Sequence, residues 1–478
     1  MAPTKRARTS SRASSSQSQQ HQKQPLAYLP EDVLENVFTF LPIKKAIEVS
    51  TVSKKYQKTW LRNRKFLFGR EFSLMFTRQE MVELVNRLFD SHQGEQIQTF
   101  HLHIDPIGVE ETINKWLNIS IEKGLEELDL YFFQPGCTLG VNFVNSLKTL
   151  RTLKLVYCEI ELPPALNGLR FLNTLVLWHT YFTEEKLETL LKHCNLLSSL
   201  DMFHVSGLSH AHFSAMHLKQ FKDLKIAYCS DLEVVVIESS TIRSLFFCGP
   251  ITGIRLLHTV KLRDTVFNFE PSGNRSYLRS TSVEFLVKDL QFHVSVLTTS
   301  ALFPEALTAK FRRGVFGEAV YTFICLTEIQ LFMEGGLFCN PYDIFLLMKH
   351  CPVLERLFID MNDYNFECGT YWELHQKPEI EKVEDKFGWL RIVKLQGFKF
   401  LASELELVKI ILQKAINLES LILVTPRNGR NKLCKQDASQ YEHLFLNWQT
   451  SQKAQILLYD HCNNDHNAVR PFHSKFWY

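Results

Sequence analysis

Apolar and polar residues follow two different periods along this chain. Between Leu29 and Trp60 the apolar residues fall at helical spacing. Pro30 suits a first helical turn, because its missing N–H would be unpaired there anyway. Glu31 and Asp32 then place negative charge at the positive helix end. Val33, Leu34, Val37, Phe38 and Leu41 share one broad apolar stripe, and Pro42 stops the helix. Residues 43–49 predict a second short helix. Val52, Tyr56 and Trp60, spaced by four, mark the apolar face of a third. Three short helices in about 40 residues sit at the lower size limit for independent folding. Such a unit is expected to lean on a neighbour, in the chain or on another protein.

From Ile97 the pattern changes to apolar, two others, apolar, one other, apolar. It reads Ile97-Phe100-Leu102, Leu125-Leu128-Leu130, Leu150-Leu153-Leu155, Leu172-Leu175-Leu177, Leu197-Leu200-Met202 and Phe221-Leu224-Ile226. The central residues step by 28, 25, 22, 25 and 24. That period is the one of leucine-rich repeats, about 20–29 residues with one strand each. The apolar residues of each strand point into the solenoid and those between them point to its concave face. Beyond Ile226 the register shortens, with Ile242-Leu245-Phe247 and Leu257-Val260-Leu262 still fitting. Residues 263–325 fit poorly, with a strand suggested near residues 283–287. The pattern returns at Leu326-Ile329-Leu331, Leu354-Leu357-Ile359, Leu390-Val393-Leu395 and Leu418-Leu421-Leu423. Two predicted helices end in the same phrase before a strand, His193-Cys194 and His350-Cys351. Residues 361–388 are polar, acidic and aromatic, and read as a long loop. No repeat buries its apolar face alone, so the array needs caps. Residues 71–96 with the three-helix unit suit one end, and the chain beyond Val424 the other.

Composition narrows the function classes. With 54 basic and 51 acidic residues the net charge is +3, which argues for neither nucleic acid nor a membrane as a direct partner. Apolar runs stop short of the roughly 18 residues that span a bilayer. The chain opens on polar residues rather than an apolar signal core. The 11 cysteines are scattered and never spaced as CxxC, the expectation for reduced intracellular thiols. Residues 1–24 hold Lys5, Arg6, Arg8, Arg12 and Lys23 with no acidic residue, and are expected to be disordered. Lys5, Arg6 and Arg8 form a nuclear-import candidate, with a solvated basic tail as the alternative. The expected location is nucleus, cytoplasm or both.

The opening stretch resembles an F-box. Leu29-Pro30, Phe40-Leu41-Pro42, Val52-Ser53-Lys54, Tyr56 and Trp60 stand in the family's order and spacing, Tyr56 replacing the commoner Trp. The segment WLRIVKLQGFKFLASELELVKIILQKAINLESLILV (389–424) and the Cys351-Pro352-Val353-Leu354-Glu355 phrase are similar to plant F-box/leucine-rich-repeat proteins of the FBD-like class. The resemblance implies an α/β fold: a three-helix F-box (25–70), a curved leucine-rich-repeat solenoid with one parallel sheet on its concave face (71–388), and FBD-like repeats with a cap (389–478). It also implies the substrate-recognition subunit of an SCF-type ubiquitin ligase, docked on a Skp-type adaptor and through it on cullin and RING subunits. The repeats would hold an unknown protein substrate. Leu29, Pro30, Val33, Leu34, Val37, Leu41, Pro42 and Ile43 are then the adaptor-facing candidates. Val52, Tyr56 and Trp60 are either internal packing or partner anchors. A helical cap packed wholly against the repeats is the alternative for this stretch. A non-ligase scaffold and a small-molecule-dependent receptor are alternatives for the whole chain.

Catalytic constellations are missing from the sequence. It contains no phosphate loop, G-x-S-x-G elbow or H-E-x-x-H helix, so an enzyme and a cofactor are not expected. His101 and His103 flank Leu102 on a strand and read as a polar concave pair rather than a metal site. His461, Cys462, Asp465 and His466 read as a solvated loop. On the concave face Tyr131, Trp178 and Phe203 suggest an aromatic strip, which either anchors a partner or packs on itself. Lys154, Lys225, Lys261 and Arg263 are the basic candidates for an anionic ligand.

Overall fold

The computed structural model describes residues 29–41, 43–270, 276–308, 321–333, 339–366, 368–427 and 435–476. Three helices open it: α1 (Glu31–Phe40), α2 (Ile43–Ser50) and α3 (Lys54–Trp60). Ser53 caps α3, its hydroxyl accepting the Tyr56 N–H at 3.2 Å. Five residues after Trp60 the chain enters the first strand of the large sheet, β1 (Lys65–Phe68). The sheet therefore starts inside the stretch read as F-box.

One parallel sheet of 15 strands follows in chain order. After β1 come β2 (Thr99–Ile104), β3 (Glu127–Phe132), β4 (Thr152–Val156), β5 (Thr174–Trp178), β6 (Ser199–Phe203), β7 (Asp223–Ala227) and β8 (Ser244–Pro250). Then come β9 (Asp264–Glu270), β10 (Val296–Ser300), β11 (Glu328–Phe332), β12 (Arg356–Asp360), β13 (Ile392–Gln396), β14 (Ser420–Val424) and β15 (Gln455–Tyr459). Equivalent inward residues stand opposite each other. Phe100, Leu128, Leu153, Leu175, Leu200, Leu224 and Leu245 form one row, all buried. Stacking of such rows makes one continuous main core that runs from Phe38 to Phe445.

What crosses the convex side sets the period. Glu110–Glu122, Glu184–His193, Ser276–Leu290, Pro341–Lys349 and Ala402–Lys414 are helices there. His210–Ser214, Val234–Glu238 and Gly253–Leu257 instead form a second parallel sheet. A strand covers about 3.3 Å per residue against about 1.5 Å for a helix, so a strand return needs fewer residues. Leu224, Leu245 and Thr265 accordingly stand opposite one another at the short spacing of 21 and 20 residues.

Three expectations are corrected by this architecture. Residues 283–287 belong to a helix, with Val283, Leu286, Val287 and Leu290 buried at helical spacing. The strand of that repeat is β10, further on. The register near residue 260 also moves. Val260 is exposed, and the inward pair is Thr265 and Phe267, not Val260 and Leu262. The stretch 361–388 is more than a loop: Trp372–Gln376 and Lys377–Lys382 are helical. Trp372 and Ile380 bury against Tyr342, Phe345 and Ile410 in a small second core.

The F-box is fixed to the sheet by more than the chain. His92, which caps the helix Arg78–Ser91, bonds the Asn63 carbonyl through Nε2 at 3.0 Å. Lys123 donates to its Nδ1 at 2.8 Å. Burial, and then the Lys123 charge, hold the imidazole down at about 4. The folded chain keeps it neutral while the unfolded chain takes up a proton near its ordinary value of about 6.5. Stability is therefore complete above pH 6.5 and is lost as pH falls from there toward 4. The urea midpoint is expected to fall between pH 7 and pH 5, and His92→Gln to flatten that slope. An unchanged slope in the variant would remove His92 from this role.

Candidate interaction surfaces

Helix α1 divides the apolar stripe into two faces. Leu34, Phe38 and Leu41, at i, i+4 and i+7, turn inward. Leu34 is 1% exposed, so it is buried within the chain and is not offered to a partner. Val33, Val37 and Phe40 form the outer face with the same spacing, and Phe40 is 82% exposed. Phe40 is not among the adaptor-facing candidates; its distance of seven from Val33 puts it in the same row, and the structure turns that row outward. Pro30 is exposed beside it, and Leu29 is half-buried, its carbonyl accepting from Lys55 Nζ at 2.8 Å. Pro42 and the side chain of Ile43 lie outside the described residues. Val52, Tyr56 and Trp60 divide: Trp60 is core, Tyr56 packs against Phe38 at 6.2 Å, and Val52 faces solvent. Lys5, Arg6 and Arg8 also lie outside the described residues.

On the concave face one row carries Tyr131, Val156, Trp178, Phe203 and Ala227 on five successive strands. Trp178 and Phe203 touch, with centroids 5.8 Å apart, yet Trp178 stays 40% exposed. The strip thus packs on itself and presents a ring edge as well. Tyr131 stands against His103, centroids 4.5 Å apart. His103 is buried and bonded to Ser73 Oγ at 2.7 Å, so it is no surface partner of His101. His101 bonds Glu127 at 3.1 Å. Arg70, His101, His103, Asp129, Tyr131 and Phe133 line a hollow of about 470 Å³ at this end.

The four basic candidates do not form a basic pocket. Lys225 pairs with Asp201 at 2.8 Å and Lys154 with Asp129 at 3.8 Å, each on the neighbouring strand. Lys261 lies in a turn before β9. Arg263 donates to the carbonyls of Val260, Leu262 and His293. The two His-Cys phrases are structural. Cys194 and Cys351 are buried, and burial pushes the Cys194 thiol up to about 12, far from a nucleophile. Among the described residues no group of three His, Cys, Asp or Glu is placed to hold a metal ion, and no helix is long and apolar enough to cross a membrane.

A ring ladder escaped the sequence reading. Tyr157, His179, His204 and Tyr228 each follow a strand with φ between 50° and 56°. Their rings stack at 4.5, 4.5 and 4.9 Å, within 13° of parallel. Each N–H reaches the next strand, as His179 does to the Phe203 carbonyl at 2.9 Å. Left-handed backbone at a non-glycine residue costs of order 1 kcal/mol, which ring stacking of similar size offsets. An aromatic or His just after each strand, every 22–25 residues, was the available signal.

The face changes character along the sheet. On β3, β5 and β6 every second residue is at least partly exposed. On β10 all five residues are buried, and Glu328, Gln330, Lys394 and Gln396 are buried although they point to the concave side. The cover is the segment read as a solvated loop: His466 is buried and the chain around it lies against β13.

Residues 88–455 match the family model described as At1g61320/AtMIF1, LRR domain, and residues 26–68 match the F-box domain. The chain belongs to this family of plant F-box proteins with leucine-rich repeats. It is 29% identical over 420 residues to the Putative FBD-associated F-box protein At1g61330 of Arabidopsis thaliana, covering 86% of this chain and 93% of that protein. It is 28% identical over 448 residues to the FBD-associated F-box protein At1g61320 of the same plant, covering 92% and 96%. This F-box/LRR protein is thus built for protein interaction, and its F-box implies a Skp-type adaptor as partner. Proteins of this kind are in general non-catalytic.

Proposed function

We propose that the chain is the substrate-recognition subunit of an SCF-type, cullin–RING ubiquitin ligase. The outer row of α1 carries this reading. Val33, Val37 and Phe40 present apolar surface on a helix whose inner row is already satisfied. An exposed aromatic flanked by aliphatic residues is the usual anchor of a protein interface. The adaptor would seat on that row and on Pro30, and link the chain to the cullin and RING subunits. The open concave face over β2–β8 would hold a protein substrate, with Trp178 and Tyr131 as anchors. The chain then contributes no catalytic group; it raises the concentration of substrate near the conjugating enzyme. It would act in the nucleus or the cytoplasm.

The test is co-purification with a Skp-type adaptor. Val33→Asp with Phe40→Asp is expected to lower adaptor retention by at least about tenfold, the equivalent of ~1.4 kcal/mol. Both side chains face solvent in the free chain, so circular dichroism and melting should stay unchanged. A folded double variant that retains the adaptor would refute the reading.

A further inference from the structure

The segment after β15 turns back and runs across the sheet against the strand order. Lys394 of β13 donates from Nζ to the carbonyls of His466 at 2.7 Å and Val469 at 3.2 Å. Arg356 of β12 donates to the Arg470 carbonyl. Glu328 of β11 accepts the Phe472 N–H at 2.6 Å. Thr298 of β10 bonds His473 Nδ1 at 2.8 Å, and Asp264 of β9 stands 4.0 Å from its Nε2. Residues 466–473 are thus read by five successive strands.

The groups that read them form a prepared site. Glu328 is held from the sides by Arg356 at 2.8 Å and by Gln330 at 2.6 Å. Lys394, 1% exposed, directs its protons to main-chain carbonyls. Burial, and then the Arg470 charge, push its amine down to about 8. Burying charged groups is costly unless they are hydrogen-bonded, so a face that needed only a lid would be served better by apolar residues. Fixed side chains that answer main-chain donors and acceptors suit a groove that binds a peptide segment. The segment runs between two 3-10 turns, Asn464–Ala468 and Ser474–Phe476, and its side chains alternate between the groove and solvent. Pro471 is buried and His473 nearly so, whereas Arg470 is exposed and Phe472 is 61% exposed. The groove therefore reads a proline and the histidine two residues later. Burial holds that histidine far below its ordinary value, at about 4, so it is bound neutral. This groove continues directly into the open face over β2–β8, so a partner seated there needs only to extend a chain segment into it.

We propose that the concave groove over β9–β13 is a binding site for a partner segment bearing Pro-x-His, and that residues 466–473 occupy it until such a segment displaces them. The site belongs to the repeat domain and does not require the F-box to be engaged.

The test inserts a protease site between Cys462 and Asn463 of the full chain and cuts it after folding. A fluorescent peptide with the sequence of residues 463–476 is then followed by anisotropy. The cut chain should bind the peptide at least about tenfold more tightly than the uncut chain. Pro471→Ala or His473→Ala in the peptide should each weaken binding by about tenfold, and Phe472→Ala by less than about threefold. A peptide of unrelated sequence that keeps Pro-x-His should compete. The intact chain carrying Pro471→Ala with His473→Ala should take up the wild-type peptide without any cut. The proposal is overturned if the cut chain stays folded and does not bind, if the three substituted peptides bind alike, or if the unrelated peptide does not compete. It is also overturned if the intact variant excludes the peptide, or if cutting unfolds the repeats, which would make the segment a structural closure.

Discussion

Replacement of Gly168 by alanine is expected to cost the repeat domain about 3 kcal/mol, the upper end of the overpacking range. A Cβ at this position would lie 1.9 Å from the carbonyl oxygen of Val144 and 3.0 Å from Cα of Asn145. Both are backbone atoms of the preceding repeat, so no side chain can rotate away. The two segments are also tied. Asn167 N–H bonds Asn145 Oδ1 at 3.0 Å, and Leu169 N–H bonds the Leu147 carbonyl at 2.9 Å. The repeats must part for the methyl group to enter, and in a solenoid a loosened interface lowers the stability of both neighbours. Gly388→Ala is the control, since nothing lies within 4 Å of its Cβ position, and it should be nearly neutral. Equal urea midpoints for the two variants would refute the close approach at Gly168.

Trp60→Ala is expected to cost about 3–5 kcal/mol, the range for a buried aromatic. Trp60 ends α3 and belongs to the same apolar cluster as Phe38, Ala46, Phe66 and Phe68. The cluster spans the F-box and the first strand, so the loss should fall on both. Hydrogen exchange is expected to quicken in α1–α3 and in β1 together. Phe40→Ala is the opposite case: it should leave exchange unchanged and weaken the adaptor complex. Full protection of α1–α3 in the Trp60 variant would show that the F-box keeps a core of its own.

Most of the sheet was legible because its inward positions repeat one chemistry. Where an apolar residue, mostly leucine, isoleucine or phenylalanine, stands at the central inward positions, as in β2–β8 and β11–β14, the spacing alone finds the strand. It fails at β9, where the inward residue is Thr265. Its hydroxyl is satisfied by the Val296 carbonyl at 3.4 Å, so the sheet accepts it although the pattern does not show it. The same failure moved Lys261 and Arg263 onto a strand they do not occupy. Residues 283–287 were misassigned for the opposite reason. An apolar stretch of that length fits a strand or a helix, and only the wider spacing to Leu290 separates the two.

The candidate surfaces were legible in part. The stripe of α1 follows from composition and spacing, but which half of it faces out depends on where the sheet lies. Leu34 and Val33 are adjacent in sequence and opposite in fate because one side of α1 is turned toward the core that holds Phe38. Charge was the least legible property. Lys154 and Lys225 look like free cations in the chain, and each meets an aspartate one strand away.

The sequence by itself determined the two-part plan: a small helical unit with apolar surface to share, followed by a stack of strands set about 20–29 residues apart. It did so because helix capping, apolar periodicity and repeat length are local properties of the chain. Only the tertiary structure decided which part of the concave face is open. The bond between Thr298 and His473 joins residues 175 positions apart, and no local pattern encodes it. Such contacts arise from shape and hydrogen bonding once the sheet exists, so only the fold shows that the concave face over β9–β13 is covered by the chain's own residues 466–473.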